Sequence, residues 1–232
     1  MRYPILLLDA DGTLLDFDRA EEQALKLTFQ RHSLPFDGQT MAAYKEINHK
    51  LWTDFENGLI SKSQILSRRF RQLFVQIGIQ DELPGFEEEY QLALGEGGFL
   101  LPDAFSVCRQ LYEEGCRLYI LTNGVEATQL SRLERSGLNP LLSGVFVSET
   151  TGYQKPQKEY FDYVRQRIPG YEEAQALMVG DSLNSDIRGG CNAGVDTCWY
   201  NPAGKGNNSG LRPDYEIRKL TDLINVARKG EL

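Results

Sequence analysis

Residues 5–14 read Ile-Leu-Leu-Leu-Asp-Ala-Asp-Gly-Thr-Leu, and this stretch decides the fold. Four consecutive apolar residues are typical of a strand that is buried on both faces, as in a parallel sheet covered by helices. The run ends abruptly at Asp9, and Gly12 favours a turn soon afterwards. Because ligands of open parallel sheets bind at the carboxyl ends of the strands, the sequence predicts that Asp9 and Asp11 lie at a binding edge.

Four later apolar runs have the same character, and each is followed by a turn or a helix-like segment. They cover Arg117–Leu121, Val145–Ser148, Ala176–Val179 and Thr197–Tyr200. Strands that alternate with helices in this way favour right-handed βαβ units. We therefore expect an α/β fold whose core is a doubly wound, Rossmann-like parallel sheet.

The segment between the first two predicted strands has helical periodicity throughout. We expect one helix opened by Asp18 with Glu21, a second over Gln39–Glu56, a third capped by Ser61 with Gln64, and a fourth over Pro84–Leu94. The sequence therefore predicts a helical-bundle cap of residues 18–97, inserted into a core domain of residues 1–17 and 98–232. We expect the cap to act as a lid over the binding edge, on hinges near residues 14–18 and 95–100.

The charge and composition of the chain exclude several classes of protein. Its 232 residues include 25 basic and 33 acidic ones, a formal net charge of −8, which argues against binding to nucleic acid or to an anionic membrane surface. The apolar runs are too short for a membrane span or a signal-peptide core, and the four cysteines form no Cys-x-x-Cys pair. We expect free thiols, a cytoplasmic location and a small-molecule substrate.

Candidate site residues accompany four of the predicted strands. They are Asp9 and Asp11 after the first, Thr122 and Asn123 after the second, Lys155 before the helix that follows the third, and Asp181 and Asp186 after the fourth. Parallel strands end at one edge of a sheet, so we expect these side chains to lie together at that edge. Taken singly, each has a plainer interpretation, such as a turn residue, a solvated lysine or an acid early in a helix.

In combination these motifs resemble the haloacid dehalogenase-like (HAD) hydrolase superfamily. Its members carry Asp-x-Asp-Gly-Thr at the first strand, Ser or Thr at the second, then a Lys, and an acidic Gly-Asp-x-x-x-x-Asp motif after the fourth, and all four occur here in that order. Within the superfamily the chain resembles the pyrimidine 5′-nucleotidase group of the YjjG type. That likeness rests on residues 9–14, on the helical insert with Gly58 and Arg68-Arg69-Phe70, and on Gln154-Lys155-Pro156.

The resemblance implies a role for each residue around the phosphate. Asp9 is expected to attack phosphorus and form an aspartyl-phosphate, while Asp11 acts first as general acid and then as general base. Lys155 is expected to offset the charge of the transferring phosphoryl group. Thr122 and the backbone amide of Asn123 are expected to donate hydrogen bonds to it.

The resemblance also implies Mg²⁺ as cofactor, held by Asp9, the backbone carbonyl of Asp11, and Asp181. Asp186 would either ligate the metal or order a metal-bound water. The expected activity is Mg²⁺-dependent hydrolysis of a phosphomonoester, foremost a pyrimidine nucleoside 5′-monophosphate.

Three other functions are compatible with parts of this pattern. A HAD phosphatase or phosphomutase for a sugar phosphate or phosphoglycolate would keep the same core residues. A 2-haloacid dehalogenase needs no metal, and that family typically places Tyr where this chain has Asp11. A binding protein on the same scaffold is expected to have lost Asp9, Lys155 or Asp181, all of which are present.

Substrate choice is expected to depend on the cap, where one helix carries Tyr44, Asn48, Trp52 and Phe55 on roughly one face. These side chains either contact the base of a nucleotide or form the core of the helical bundle.

Overall fold

The computed structural model describes residues 1–80 and 83–231. This part of the chain divides into two compact units. The α/β unit contains residues 1–17 and the chain from residue 98 onward, and the helical unit contains residues 18–97. No helix among the described residues combines the length and the apolar character that a membrane span requires.

The described residues of the α/β unit form one six-stranded sheet in which all neighbours are parallel. The strands are β1 (Ile5–Leu8), β2 (Arg117–Thr122), β3 (Leu142–Val147), β4 (Ala176–Gly180), β5 (Asp196–Tyr200) and β6 (Tyr215–Ile217). Their spatial order is β3-β2-β1-β4-β5-β6, so the doubly wound parallel sheet predicted from the sequence is confirmed. In this order the direction of winding changes between β1 and β4, and ligands of such sheets bind at that point.

Helices occur in both units of the described chain. They are α1 (Phe17–Arg31), α2 (Gly38–Glu56), α3 (Lys62–Ile77), α4 (Phe86–Gly95), α5 (Ala104–Glu113), α6 (Glu126–Ser136), α7 (Ser148–Thr151), α8 (Lys158–Arg165), α9 (Arg188–Ala193) and α10 (Asp222–Lys229). Short 3₁₀ turns cover Asn139–Leu141 and Glu173–Gln175, and a π-helical turn covers Leu183–Ile187.

The first strand shows why the sheet needs helices on both faces. Alternate residues of a strand point to opposite faces. Leu6 and Leu8 therefore belong to a core with α5 and α10, whereas Ile5 and Leu7 belong to a second core with α8. All four residues are fully buried, which agrees with their continuous apolar sequence.

The third predicted strand is wrong at both ends, three other predicted strands are each one residue too short, and one strand was not predicted. The third strand begins at Leu142 instead of Val145, and Ser148 already starts α7. The unpredicted strand is β6, which has only three residues and lies at the sheet edge beside β5. Such a short edge strand carries no run of apolar residues that could reveal it.

Local capping explains where the helices of the helical unit begin. The predicted capping box of Ser61 with Gln64 is confirmed at the start of α3. The Asp37 carboxylate caps α2 by accepting a hydrogen bond from the backbone N–H of Thr40 at 2.8 Å. The predicted pair of Asp18 with Glu21 is not a cap, because α1 already begins at Phe17. The fourth predicted helix likewise begins at Phe86, two residues after Pro84.

The interior of the helical unit contains a buried polar cluster. Glu21 Oε1 accepts a hydrogen bond from Asn48 Nδ2 at 3.0 Å, and Arg69 Nη1 lies 3.4 Å from Asn48 Oδ1. The Arg69 guanidinium forms a two-pronged ion pair with Glu87, in which Nε donates to Oε2 at 2.8 Å. Glu21 and Arg69 are almost completely buried, so this network supplies hydrogen-bond partners in place of the water that both side chains have lost.

Three of the four side chains that share the predicted face of α2 are buried, and they pack inside the helical unit. Tyr44 stacks on Phe70 with a ring-centroid distance of 5.4 Å, and Phe55 belongs to a small apolar cluster with Leu51. Trp52 is partly exposed and packs at the border of that cluster. Bundle packing therefore accounts for Tyr44 and Phe55.

A buried carboxyl in this cluster makes the stability of the helical unit depend on pH. Burial raises the pKa of Glu21 to about 7, although Lys45 opposes the shift. The folded state therefore binds a proton that the unfolded chain releases between about pH 4.5 and pH 7, and stability falls as the pH rises through this window. Glu21→Gln should remove up to about 3 kcal/mol of that fall.

Urea unfolding at pH 5 and pH 8, followed by circular dichroism, measures this effect. The exposed Glu22→Gln variant on the same helix is the control and should keep the pH dependence of the unmodified protein. If Glu21→Gln keeps it as well, Glu21 does not titrate in this range.

Candidate active site

The turn after β1 brings residues 9–12 against the loop that follows β4. The backbone N–H of Asp9 donates to the carbonyl of Val179 at 2.9 Å, which extends the pairing of the two strands by one residue. Gly12 has a φ of 77°, and a Cβ at this position would lie 2.7 Å from Asp181 Oδ2. Only glycine combines a positive φ with the absence of a Cβ, so Gly12 allows the Asp181 carboxylate to lie directly over the turn.

A buried lysine occupies the centre of the edge. Lys155 Nζ lies 2.5 Å from Asp9 Oδ1 and 2.7 Å from Asp186 Oδ1, and it donates to the carbonyl of Leu121 at 2.7 Å. An ammonium has three protons, and these three acceptors use all of them. Lys155 is only 1% exposed, so its charge depends on these partners instead of water.

The charges of this group shift one another's proton affinity. Burial by itself would lower the pKa of Lys155, but the carboxylates of Asp186 and Asp9 outweigh it and raise the pKa above its usual range. Burial raises the pKa of Asp9, while the Lys155 ammonium acts in the opposite direction. The lysine is therefore a permanent positive charge beside Asp9.

Asn123 fixes the backbone that carries Lys155. Its side-chain Nδ2 donates to the carbonyl of Lys155 at 2.9 Å, and its Oδ1 accepts from the backbone N–H of Lys155 at 3.0 Å. The Lys155–Pro156 peptide bond is cis. The sequence predicts a role only for the backbone amide of Asn123, whereas its side chain forms a two-point connection between β2 and the loop that carries Lys155.

The π-helical turn after β4 positions the remaining acids. Asp186 Oδ2 accepts from the backbone N–H of Ser182 at 3.0 Å, which directs its other oxygen towards Lys155. Gly180 leaves room for this carboxylate, since a Cβ there would lie 2.1 Å from Asp186 Oδ2. Trp199 Nε1 donates to the backbone carbonyl of Asp181 at 2.9 Å and so holds the start of the loop against β5.

Among the described residues, Asp9, Asp181 and Asp186 form a group in which each offers a carboxylate oxygen within 4.8 Å of the others. Loss of hydration around the Asp181 carboxylate and the nearby charge of Asp186 raise the pKa of Asp181 to about 7. Lys155 contacts only Asp9 and Asp186, and a single ammonium cannot balance all three carboxyl groups when they are ionised, so the group then has an excess of negative charge. Oxygen ligands with this excess fit a hard divalent cation such as Mg²⁺.

Asp11 and Thr122 lie beside this centre and share the partner Gln129 on α6. Gln129 Nε2 lies 2.8 Å from Asp11 Oδ2 and 2.7 Å from Thr122 Oγ1, and Arg132 forms an ion pair with Asp11. Gln129 and Arg132 were not predicted as site residues, because in the sequence both look like ordinary residues of an amphipathic helix. Their burial in α6 is the signal that could have drawn attention to them, but it requires the structure.

The structure thus brings the seven predicted site residues to the carboxyl edge of β1, β2 and β4. Two ion pairs and the carboxylate group connect Asp9, Lys155, Asp181 and Asp186. Asp11 and Thr122 join this edge through Gln129, and Asn123 joins it through the backbone of Lys155.

Comparison with known proteins gives matches that span most of the chain. A model of the haloacid dehalogenase-like hydrolase family matches residues 3–194. The HAD-hydrolase YfnB of Bacillus subtilis is 44% identical over 97% of this chain and 95% of its own length. The crystal structure of YfnB bound to magnesium has a TM-score of 0.92 and covers 98% of this chain and 100% of that chain.

Two pyrimidine 5′-nucleotidases are also similar along their whole length. PynA of Streptococcus pneumoniae is 38% identical over 100% of this chain and 98% of its own length. YjjG of Escherichia coli is 33% identical over 99% of this chain and 100% of its own length.

Removal of Lys155 should lower the free energy of unfolding, because the buried carboxylates beside it then lack a counter-charge. In Lys155→Met the Asp9 and Asp186 side chains lose their shared counter-charge, and we expect a loss of about 3–5 kcal/mol in the free energy of unfolding. A second substitution, Asp186→Asn, should recover part of this loss because it removes one of the two unpaired charges.

Chemical denaturation in buffer free of divalent cations measures these changes. The control is Lys158→Met, whose ammonium lies on the surface of α8 and pairs with Asp162, so its effect should stay within about 0.5 kcal/mol. A loss in Lys155→Met no larger than that of the control would show that Lys155 does not hold the acids together.

Proposed function

The chain belongs to the haloacid dehalogenase-like hydrolase family, and on this premise we propose that it is a Mg²⁺-dependent phosphomonoester hydrolase that prefers pyrimidine nucleoside 5′-monophosphates. The observation that carries the proposal is the buried ion pair of Asp9 and Lys155, with Asp181 and Asp186 in one carboxylate group with Asp9 and with Asp11 two residues after Asp9. This arrangement joins a nucleophile, a fixed positive charge, an acid–base group and a set of metal ligands.

In the first step an oxygen of the Asp9 carboxylate attacks phosphorus, and the bond between phosphorus and the leaving oxygen breaks. The leaving oxygen takes a proton from the Asp11 carboxyl and departs as an alcohol. In the second step water attacks the phosphorus of the aspartyl-phosphate while Asp11 accepts the proton of that water. The bond between phosphorus and Asp9 breaks, and inorganic phosphate leaves with the original Asp9 restored.

Lys155 serves both steps as a fixed charge. Because three acceptors hold its ammonium, it needs no rearrangement as negative charge builds up on the phosphoryl oxygens. Thr122 and the backbone N–H of Asn123 supply donors on the side of β2. These groups bind the phosphoryl group and leave the alcohol part of the ester to other residues.

The same edge offers a fitting place for Mg²⁺. Asp9, Asp181 and the backbone carbonyl of Asp11 would hold it, with Asp186 as a further ligand or as the holder of a metal-bound water. Bound there, the ion would offset the negative charge of the phosphoryl group and polarise it for attack.

The likeness to PynA and YjjG supports the choice of substrate, since both are pyrimidine 5′-nucleotidases and align along their whole length. The presence of Asp11 supports phosphate-ester chemistry over dehalogenation, because an alcohol leaving group needs a proton and a halide does not.

The nucleophile is tested by Asp9→Asn, which should abolish phosphate release and leave the fold intact, because the amide cannot attack phosphorus. Phosphate release is measured with a nucleoside monophosphate, and circular dichroism checks the fold. The comparison variant is Asp103→Asn, an exposed aspartate of the α/β unit outside the group of acids, which should retain activity. Turnover by a folded Asp9→Asn protein at a rate near that of the unmodified enzyme would contradict the assignment.

The substrate class is tested by phosphate release from UMP, dTMP, purine nucleotides, sugar phosphates, phosphoglycolate and p-nitrophenyl phosphate. The pyrimidine nucleotides should give the highest kcat/KM. EDTA should silence the enzyme with every ester, and added Mg²⁺ should restore it. A sugar phosphate or phosphoglycolate that outperforms UMP would overturn the nucleotidase assignment, and activity that persists in chelated buffer would overturn the metal dependence.

A further inference from the structure

Two buried side chains of α6, Gln129 and Arg132, have no role in the chemistry described so far. Arg132 is completely buried, and Gln129 is 1% exposed. They lie three residues apart and so share one face of the helix. Burial of a guanidinium is costly unless its charge is compensated, and Arg132 forms its ion pair with the Asp11 carboxylate.

The two side chains hold both oxygens of Asp11. Arg132 Nη1 donates to Oδ1, and Gln129 Nε2 donates to Oδ2 at 2.8 Å. Each carboxylate oxygen has a second lone pair, so the proton that Asp11 exchanges with substrate or water still has a place. The Asp11 side chain is 29% exposed, whereas the groups that hold it are buried. Its orientation is therefore set from inside the α/β unit.

Arg132 also fixes the orientation of the Gln129 amide. Its Nη1 donates to Gln129 Oε1 at 3.0 Å, which turns the NH₂ group of the amide towards Asp11 and Thr122. The reversed amide would place its oxygen against the Asp11 carboxylate and its NH₂ against the guanidinium, and both contacts would be repulsive. Gly124 makes room for the amide, because a Cβ there would lie 2.6 Å from Gln129 Cγ.

The second proton of Gln129 Nε2 reaches Thr122. Thr122 Oγ1 accepts from Gln129 Nε2 at 2.7 Å and from the backbone N–H of Gly124 at 3.0 Å. These two bonds occupy both lone pairs of the hydroxyl oxygen. The hydroxyl proton is therefore directed to a further acceptor, and at this edge of the sheet a phosphoryl oxygen is the acceptor that the proposed function supplies.

From this geometry we propose that Gln129 and Arg132 are positioning residues that fix the acid–base group Asp11 and the phosphate donor Thr122 in one hydrogen-bonded frame. The inference rests on the proposed function, because it assigns the frame to the proton transfer of that reaction. Its consequence is a dependence on the leaving group: a nucleotide departs as an alcohol that needs the proton of Asp11, whereas p-nitrophenolate departs without one.

The test compares kcat/KM for UMP with kcat/KM for p-nitrophenyl phosphate in Gln129→Met and Arg132→Met. We expect kcat/KM for UMP to fall by about 10–100-fold, a part of what a positioned acid contributes, and the value for p-nitrophenyl phosphate to fall by less than about 3-fold. The ratio of the two values is the decisive quantity, because it does not depend on the fraction of protein that is folded. Arg132→Lys, which keeps the charge, should recover part of the ratio.

Two reference variants distinguish a failure of the positioning role from a failure of the acid role of Asp11. Arg135→Met changes an exposed arginine on the same helix and should leave the ratio unchanged. Asp11→Asn should change the ratio by the full value of the acid, about 10²–10⁴-fold.

A ratio that stays constant in Gln129→Met and Arg132→Met but changes in Asp11→Asn would overturn the positioning role alone. A ratio that stays constant in Asp11→Asn would overturn the acid role of Asp11. An unmodified protein that hydrolyses neither ester would overturn the proposed function. In both cases the positioning role is overturned as well.

Discussion

A buried ammonium group must have a hydrogen-bond acceptor for each of its protons, because it has lost its contact with water. At the carboxyl edge of the sheet, the buried ammonium of Lys155 determines where the neighbouring groups lie. Its acceptors come from three separate places: Asp9 after β1, the carbonyl of Leu121 in β2, and Asp186 after β4. These meet only because β2, β1 and β4 are neighbours that run in the same direction. The ion pairs therefore depend on the strand order, and the position of Asp9 depends on the ion pairs.

The neighbouring features follow from the crowding of charge at this point. Gly12 and Gly180 leave room for the carboxylates of Asp181 and Asp186, which a Cβ at either position would displace. One ammonium does not balance three ionised carboxylates, and this excess of negative charge is the basis of the Mg²⁺ site that we propose. Asp11 is compensated separately, because it forms its ion pair with Arg132. Each acid thus has its own environment, which suits different chemical roles for residues only two positions apart.

The sequence predicts those parts of the molecule that are encoded locally. The bounds of β1 are correct because Ile5–Leu8 is an unbroken apolar run, and the start of α3 is correct because Ser61 and Gln64 form a capping box within four residues. The family resemblance brings together site residues that lie far apart in sequence. Contacts that form only on folding could not be predicted from the sequence. The hydrogen bond from Gln129 to Asp11 joins residues 118 positions apart, and no local sequence pattern indicates it. The short strand β6 gives no periodic signal either.

In the mechanism that we propose, Asp9 becomes an acyl phosphate during turnover. The most direct measurement is to quench the enzyme during turnover of a nucleoside monophosphate, reduce it with borohydride and map its peptides by mass spectrometry. Borohydride reduces an acyl phosphate to the alcohol and leaves a free carboxylate unchanged, so the account predicts homoserine in place of Asp9. An unreduced Asp9 together with a reduced side chain at any other acid would contradict it.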